Sequence, residues 1–271
     1  MDHNEIRSLF YHHKICVLIP TYNNGQTLER VLTDVLAYTD QLVVVNDGST
    51  DNTLEILDKF PDLPQVGYAH NQGKGFALRT GFEFALARGF NYAITMDSDG
   101  QHFAADLPNM LAAMLENPDA LLVGARNMDQ ATVPGKSSFG NKFSNFWFWV
   151  TTGIRMSDTQ SGYRVYPIRR MQGITFFTRK FEFEIEVLVR SSWKGIPIKN
   201  VPVKVFYPEK GKRISHFRPF KDFTRISILN TVLVTIALLY IKPRDAWRVL
   251  KKKTSDSSFV SSYSIRKSQM R

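Results

Sequence analysis

The sequence predicts an α/β fold built on a doubly wound, mostly parallel sheet, and three observations predict it. Short apolar runs bounded by turn residues alternate with helix-like segments through residues 14–125. Two of those runs end almost directly in aspartate, at Asp47 and Asp97. Hydrophobic residues make up 43% of the 271 positions, 20 of them Phe, which is enough apolar material for a sizeable core.

Each element has its own local reason. Lys14–Pro20 is an apolar run stopped by proline, the pattern of a buried strand. Thr27–Ala37 then sets Leu28, Val31, Leu32, Val35 and Leu36 on one side of a helix. Gln41–Asn46 is a second buried strand, and Asp47-Gly48-Ser49-Thr50-Asp51 turns the chain and caps a helix over Asn52–Phe60. Gln65–Ala69 is a third strand and Gly75–Arg88 a third helix. Tyr92–Met96, the fourth strand, runs into Asp97-Ser98-Asp99; Leu107–Leu115 is helical and Ala120–Ala125 a fifth strand. Alternation at this spacing implies parallel crossovers. Such sheets bind ligands at the carboxyl ends of their strands, which puts Asp47 and Asp97 on one functional edge. After residue 130 the alternation stops, leaving helices over Ser137–Thr152 and Phe183–Trp193 and a strand over Ile198–Phe206.

Charge divides the chain. Residues 1–203 hold 19 Lys/Arg against 21 Asp/Glu, whereas residues 204–271 hold 16 against 4. A neutral body with a basic tail suits contact with an anionic surface. Nucleic acid is not the expected partner, because no recognisable binding module accompanies the basic tail. Cys16 is the only cysteine, so disulfides within the chain and Cys-based zinc sites are excluded. Met1–Phe10 lacks an apolar stretch, so no signal peptide is expected there. The longest apolar stretch, Ile226–Ile241, would span about 24 Å as a helix, short of the roughly 30 Å hydrocarbon core. It is read as interfacial or re-entrant. The expected division is an extension over 1–13, a catalytic domain over 14–215, a membrane-associating helical segment over 216–253 and a basic, Ser-rich tail over 254–271.

Asp97-Ser98-Asp99 carries the chemistry. Carboxylates two residues apart at the mouth of a sheet can share one hard divalent cation, Mg²⁺ or Mn²⁺, and leave positions for diphosphate oxygens. Such an ion neutralises the charge on a departing nucleoside diphosphate.

The order and spacing of several further segments resemble the family 2 glycosyltransferases of the GT-A fold, in the branch of dolichyl- and polyprenyl-phosphate sugar synthases. They are Ile19-Pro20-Thr21-Tyr22-Asn23-Asn24, Val45-Asn46-Asp47-Gly48-Ser49-Thr50-Asp51, Asn71-Gln72-Gly73-Lys74-Gly75 and Asp97-Ser98-Asp99-Gly100-Gln101-His102. Gly124-Ala125-Arg126, Asp158-Thr159-Gln160-Ser161-Gly162-Tyr163-Arg164 and Phe181-Glu182-Phe183-Glu184-Ile185-Glu186 follow. The resemblance spans roughly residues 14–220. It implies that Pro20, Tyr22 and Asp47 hold the nucleobase and ribose, and that Asp97, Asp99 and Gln101 hold the metal and diphosphate. Ser98, Arg164 and Arg213 join the donor site on the same ground, with a structural ion pair the other reading of Arg164. Arg126, assisted by Lys136, receives the acceptor phosphate. Asn24 and Asn46 stand where family members often carry Glu and Asp, which leaves the base open.

The resemblance also implies an inverting nucleotide-sugar transferase. With a lipid phosphate as acceptor, cations to hold it suffice. With a hydroxyl, a carboxylate must take the proton, and Glu184, then Asp158, is the candidate. A nucleotide-sugar-binding protein without turnover is the third reading. Lys74, between two glycines, is read as a turn residue with a phosphate contact the other reading, His102 as a turn residue rather than a ligand, and the aromatic run Phe143–Trp149 mainly as core, although an exposed aromatic face would suit lipid insertion. The expected location is the cytoplasmic face of a membrane, peripheral or monotopic, on anionic lipid.

Overall fold

A computed structural model describes residues 1–127, 135–206 and 218–247. Its strands are β1 (Ile15–Thr21), β2 (Leu42–Asn46), β3 (Gln65–Gly67), β4 (Tyr92–Thr95), β5 (Leu121–Arg126), β6 (Arg164–Tyr166) and β7 (Ile198–Val203). The helices are α1 (His3–His12), α2 (Gly25–Leu36), α3 (Thr53–Leu57), α4 (Lys74–Ala87) and α5 (Leu107–Glu116), followed by α6 (Gly135–Thr152), α7 (Ile168–Met171), α8 (Phe183–Trp193) and α9 (Pro219–Ile236).

Among the described residues the strands form one seven-stranded sheet in the order β3-β2-β1-β4-β6-β5-β7. Every pairing is parallel except those of β6, which runs against both β4 and β5. The expected α/β class and the first five strands are therefore present. Strand β6 was not expected: three residues are too short to show a period, and this strand joins the sheet out of sequence order. Its direction matters for function, because a reversed strand brings its start, not its end, to the functional edge.

Alternation along β1 divides the core. Ile15, Val17 and Ile19 face a layer that includes Val31 of α2, Ile56 of α3 and Met110 of α5. Cys16 and Leu18 face the other layer, with Leu78 of α4, Phe148 of α6, Val187 of α8 and Leu233 of α9. The result is a sheet covered on both sides, as parallel strands require.

Two segments differ from expectation. Residues 1–13, read as an extension, contain a capped helix whose Ile6 and Phe10 are buried in the first layer. Asp2 accepts a hydrogen bond from the Glu5 backbone at 2.7 Å and starts that helix. At the other end, α9 does not stop at the apolar stretch. It continues through a π-helical turn, Ala237–Ile241, into a single helix over Phe220–Trp247. Its 28 residues reach about 42 Å, so by length and composition this helix could cross a membrane, whereas the Ile226–Ile241 run alone is shorter. Only 22% of its most apolar window is buried against the domain.

Candidate active site

Strand register assembles the site. Thr21 lies opposite Asn46 and Leu18 opposite Thr95, so the residues just past β1, β2 and β4 share one edge. Strand β5 delivers Arg126 to the same edge, and reversed β6 begins there with Arg164.

The loops at this edge are tied together by side chains. Ser98 is buried; it donates to the Pro20 carbonyl at 3.1 Å and accepts from Asn24 Nδ2 at 2.8 Å. Asn23 Oδ1 accepts from the backbone of Thr50 at 2.7 Å, joining the first loop to the second. Asp47 is 3% exposed, and its carboxylate accepts from the backbone of Gln72 at 2.7 Å, of Gly73 at 3.0 Å and from Asn71 Nδ2 at 2.9 Å. Burial raises its pKa, against these hydrogen bonds. The polar atoms of Ser98 and Asp47 thus tie the protein loops together at this edge. Pro20 is buried in β1, and Tyr22 is half-buried on the loop beyond it.

Those ties position Lys74, which sequence reading passed over as a turn residue. Its ammonium lies 2.7 Å from Asp97 and 2.5 Å from Glu184. A cation in the first turn of a helix opposes the helix dipole, so it needs carboxylates to offset that cost. That conflict is the signal by which the sequence marks the position. Gly75 allows the approach: a Cβ there would sit 2.3 Å from Phe183 Cβ, so only glycine lets α4 rest on the start of α8.

The two aspartates of the turn after β4 are shifted in opposite directions. Burial opposes ionisation of both. Lys74, with help from His102, outweighs it at Asp97 and holds that carboxyl below its ordinary range. At Asp99 burial and the neighbouring Asp97 charge dominate and push the pKa up. Gln101 donates to Asp99 from its backbone at 3.0 Å and its side chain at 2.6 Å. His102 pairs with Val205 in an isolated antiparallel bridge and stacks on Tyr163, and burial lowers its pKa despite both aspartates. Among the described residues no group of three His, Cys, Asp or Glu side chains is arranged around a cation position. The residues expected to hold a divalent ion, Asp97, Asp99 and Gln101, offer two carboxylates and one amide, which are hard oxygen donors.

Asp97 rests directly on the backbone of Gly162, where a Cβ would fall 2.4 Å from its Oδ2. Gly162→Ala is therefore expected to push Asp97 off Lys74 and cut turnover about tenfold or more, with a lowered melting temperature. Steady-state kinetics and thermal unfolding of the variant test this.

Arg126 and Asp158 form a second unit. Asp158 is fully buried and takes Arg126 Nε at 2.6 Å and its Nη2 at 3.1 Å. Burial raises the Asp158 pKa, but Arg126 and the backbone donors win and hold it below the ordinary range. The sign of the linkage follows. A depressed folded pKa adds stability above the unfolded value of about 3.9, and that stability is lost as pH falls through the folded value. Asp158→Asn is accordingly expected to lower stability at pH 7 and to flatten the loss of stability as pH falls below about 4, measured by urea unfolding across the acid range.

Arg164 is also fully buried. Its guanidinium donates to the carbonyls of Ser161 at 2.6 Å, Thr159 at 3.0 Å and Glu184 at 2.8 Å, and to the Tyr166 hydroxyl. These contacts tie the start of β6 to the Thr159–Ser161 segment and to α8. Lys136 and Arg213 lie outside the residues whose side chains are described.

The profile of glycosyl transferase family 2 matches residues 16–170, over half the chain. The chain belongs to this family. An uncharacterized protein of Methanocaldococcus jannaschii is 30% identical over 205 residues, covering 72% of this glycosyltransferase and 83% of that protein. A UDP-N-acetylglucosamine–dolichyl-phosphate N-acetylglucosaminyltransferase of Methanococcus voltae is 25% identical, covering 80% of this chain and 96% of its own. Among solved structures, glucosyl-3-phosphoglycerate synthase from Mycobacterium tuberculosis, in complex with Mn²⁺, UDP and phosphoglyceric acid, superposes with a TM-score of 0.64. It covers 89% of this chain and 82% of its own at 19% identity, a likeness of fold. The family 2 glycosyltransferase thus has the mostly parallel GT-A sheet with an added C-terminal apolar helix.

Proposed function

We propose that this glycosyltransferase moves a sugar, with inversion, from a nucleotide-diphosphate sugar to a polyprenyl-phosphate-type lipid at a membrane surface. One observation carries the choice of acceptor. Both carboxylates that could serve a hydroxyl acceptor as base are already committed to cations, Asp158 to Arg126 and Glu184 to Lys74. A phosphate acceptor needs no base, since it is anionic at neutral pH, and it needs a fixed cation to receive it. Arg126, aimed by a buried carboxylate and 14% exposed at the site edge, is such a cation. The relative from Methanococcus voltae, whose name includes dolichyl phosphate, supports the same class.

In this reading an acceptor phosphate oxygen attacks the anomeric carbon, and the bond from that carbon to the diphosphate breaks. The electron pair leaves with the nucleoside diphosphate. Asp97, Asp99 and the amide oxygen of Gln101 fit a divalent ion, Mg²⁺ or Mn²⁺, which when bound supplies positive charge to the leaving diphosphate. Lys74 and Arg164 keep Asp97 and Glu184 in place. The basic residues flanking Ile226–Ile241 suit the cytoplasmic face of an anionic membrane.

The test is radiolabelled transfer from GDP-mannose, UDP-glucose and UDP-N-acetylglucosamine to polyprenyl phosphate, with Mg²⁺, Mn²⁺ or chelator. A metal-dependent lipid product supports the reading and names the donor. Intact donor binding with no lipid product from any donor overturns it in favour of a hydroxyl acceptor.

A further inference from the structure

Helix α6 has two distinct sides. Its inner side carries Asn141 and Ser144, both buried, with Asn145 beside them. Asn141 Nδ2 donates to Asp158 at 2.7 Å, Asn145 donates to Asn141 Oδ1 at 2.6 Å and to the Ser157 carbonyl at 2.8 Å, and Ser144 meets Thr159 at 2.8 Å. The helix therefore grips the Ser157–Thr159 segment, and through Asp158 it reaches Arg126.

The outer side is aromatic. Phe139, Phe146 and Trp149 are 66%, 51% and 42% exposed. Their rings continue through Phe143 to Phe223 on α9, with centroids 5.1 Å apart, so the two helices share one surface. Its charge is of one sign. Helix α6 contains no acidic residue, Arg155 lies 5.6 Å over the Trp149 ring, and the exposed Lys142 and Lys221 belong to the same two helices. Of the two acids on the long C-terminal helix, Asp222 is buried and paired with Arg225. Aromatic rings interleaved with cations suit the headgroup region of an anionic bilayer.

We propose that α6 meets an anionic lipid surface with its outer side and, through Asn141 and Asp158, positions Arg126 with its inner side, so that docking and acceptor binding are coupled. Asn141 is a positioning residue in this scheme, touching neither substrate. The proposal rests on the lipid-phosphate reading for its kinetics, but the docking and the grip on residues 157–161 can be read without turnover.

The experiment uses the full-length protein, vesicles of phosphatidylglycerol and phosphatidylcholine containing brominated lipid, and a short-chain, water-soluble isoprenyl phosphate as acceptor. In the wild type, vesicles lacking acceptor are expected to quench Trp fluorescence and to slow amide exchange across residues 157–161. They should also lower KM for the soluble acceptor about fivefold or more, with donor KM unchanged. Phe146→Ser/Trp149→Ser is expected to lose all three responses while keeping the vesicle-free KM. Asn141→Ala is expected to keep the quenching but lose both the exchange protection and the KM response.

Vesicle binding with no change in exchange at 157–161 overturns the coupling, whether or not the acceptor is used. Unaltered docking by the Phe146→Ser/Trp149→Ser variant, or a dimer that buries this face and ignores vesicles, overturns the surface. If no lipid phosphate is glycosylated while exchange still responds to vesicles, the functional reading falls and the coupling stands.

Discussion

Lys74→Met is expected to cost on the order of 3 kcal/mol of stability and to reduce transfer at least about a hundredfold, although Lys74 was unremarkable in the sequence. The size follows from what would remain. Asp97 and Glu184 are mostly buried, with side-chain exposures of 26% and 14%, and Lys74 sits between them. Removing the ammonium leaves two carboxylates facing each other with only Arg164, 4.0 Å from Glu184, to offset them, the costly way to break a buried pair. Methionine keeps most of the stem's volume, so packing is nearly conserved and the loss reports charge. The activity loss has a separate origin, since Asp97 would no longer be held against Gly162.

A second substitution separates the two effects. Lys74→Met combined with Glu184→Leu removes both the cation and one stranded anion. Stability, read from urea midpoints at constant slope, is expected to recover by about half of the loss. Turnover is expected to stay down. If the single variant is as stable as the wild type, Lys74 is not the centre of this edge.

The sheet was legible because its strands announce themselves. Lys14–Pro20, Gln41–Asn46 and Tyr92–Met96 are apolar runs with definite ends, and parallel order then fixes which end faces the ligand. The aspartates past those ends followed at once. Side-chain engagement was less legible. Asp47 and Asp99 look alike in sequence as carboxylates just past a strand, yet Asp47 is spent on the Asn71–Gly73 loop. That loop lies twenty-five residues away in sequence, and no periodicity relates the two. The two readings of Arg164 could not be separated in the sequence for a related reason. Its burial depends on β6 entering the sheet between β4 and β5, a non-local pairing that three residues do not signal. Asn141 and Asn145 were hidden within an aromatic run whose helical reading was correct but whose inner side was not assigned.

The adjacent aspartates should respond oppositely to loss of charge. Asp97→Asn takes a partner from Lys74, whose pKa is raised by Asp97 and Glu184 against the lowering effect of burial, so it is expected to destabilise the fold. Asp99→Asn removes a charge that burial and Asp97 already disfavour. The sign is the reverse of Asp158: a raised folded pKa means that ionisation at pH 7 works against the folded state. The amide can still accept from the Gln101 backbone, so the variant is expected to melt at the wild-type temperature or above. Yet Asp99→Asn is expected to lose about a thousandfold in transfer, because the amide offers a divalent ion and its diphosphate no charge. A residue whose charge burdens the fold while turnover requires it is the signature of a site built for a ligand rather than for stability. Calorimetric titration of Mn²⁺ with nucleoside diphosphate, set beside thermal unfolding of both variants, tests this. Equal destabilisation by the two substitutions would remove the electrostatic distinction, and full turnover by Asp99→Asn would remove Asp99 from the metal site.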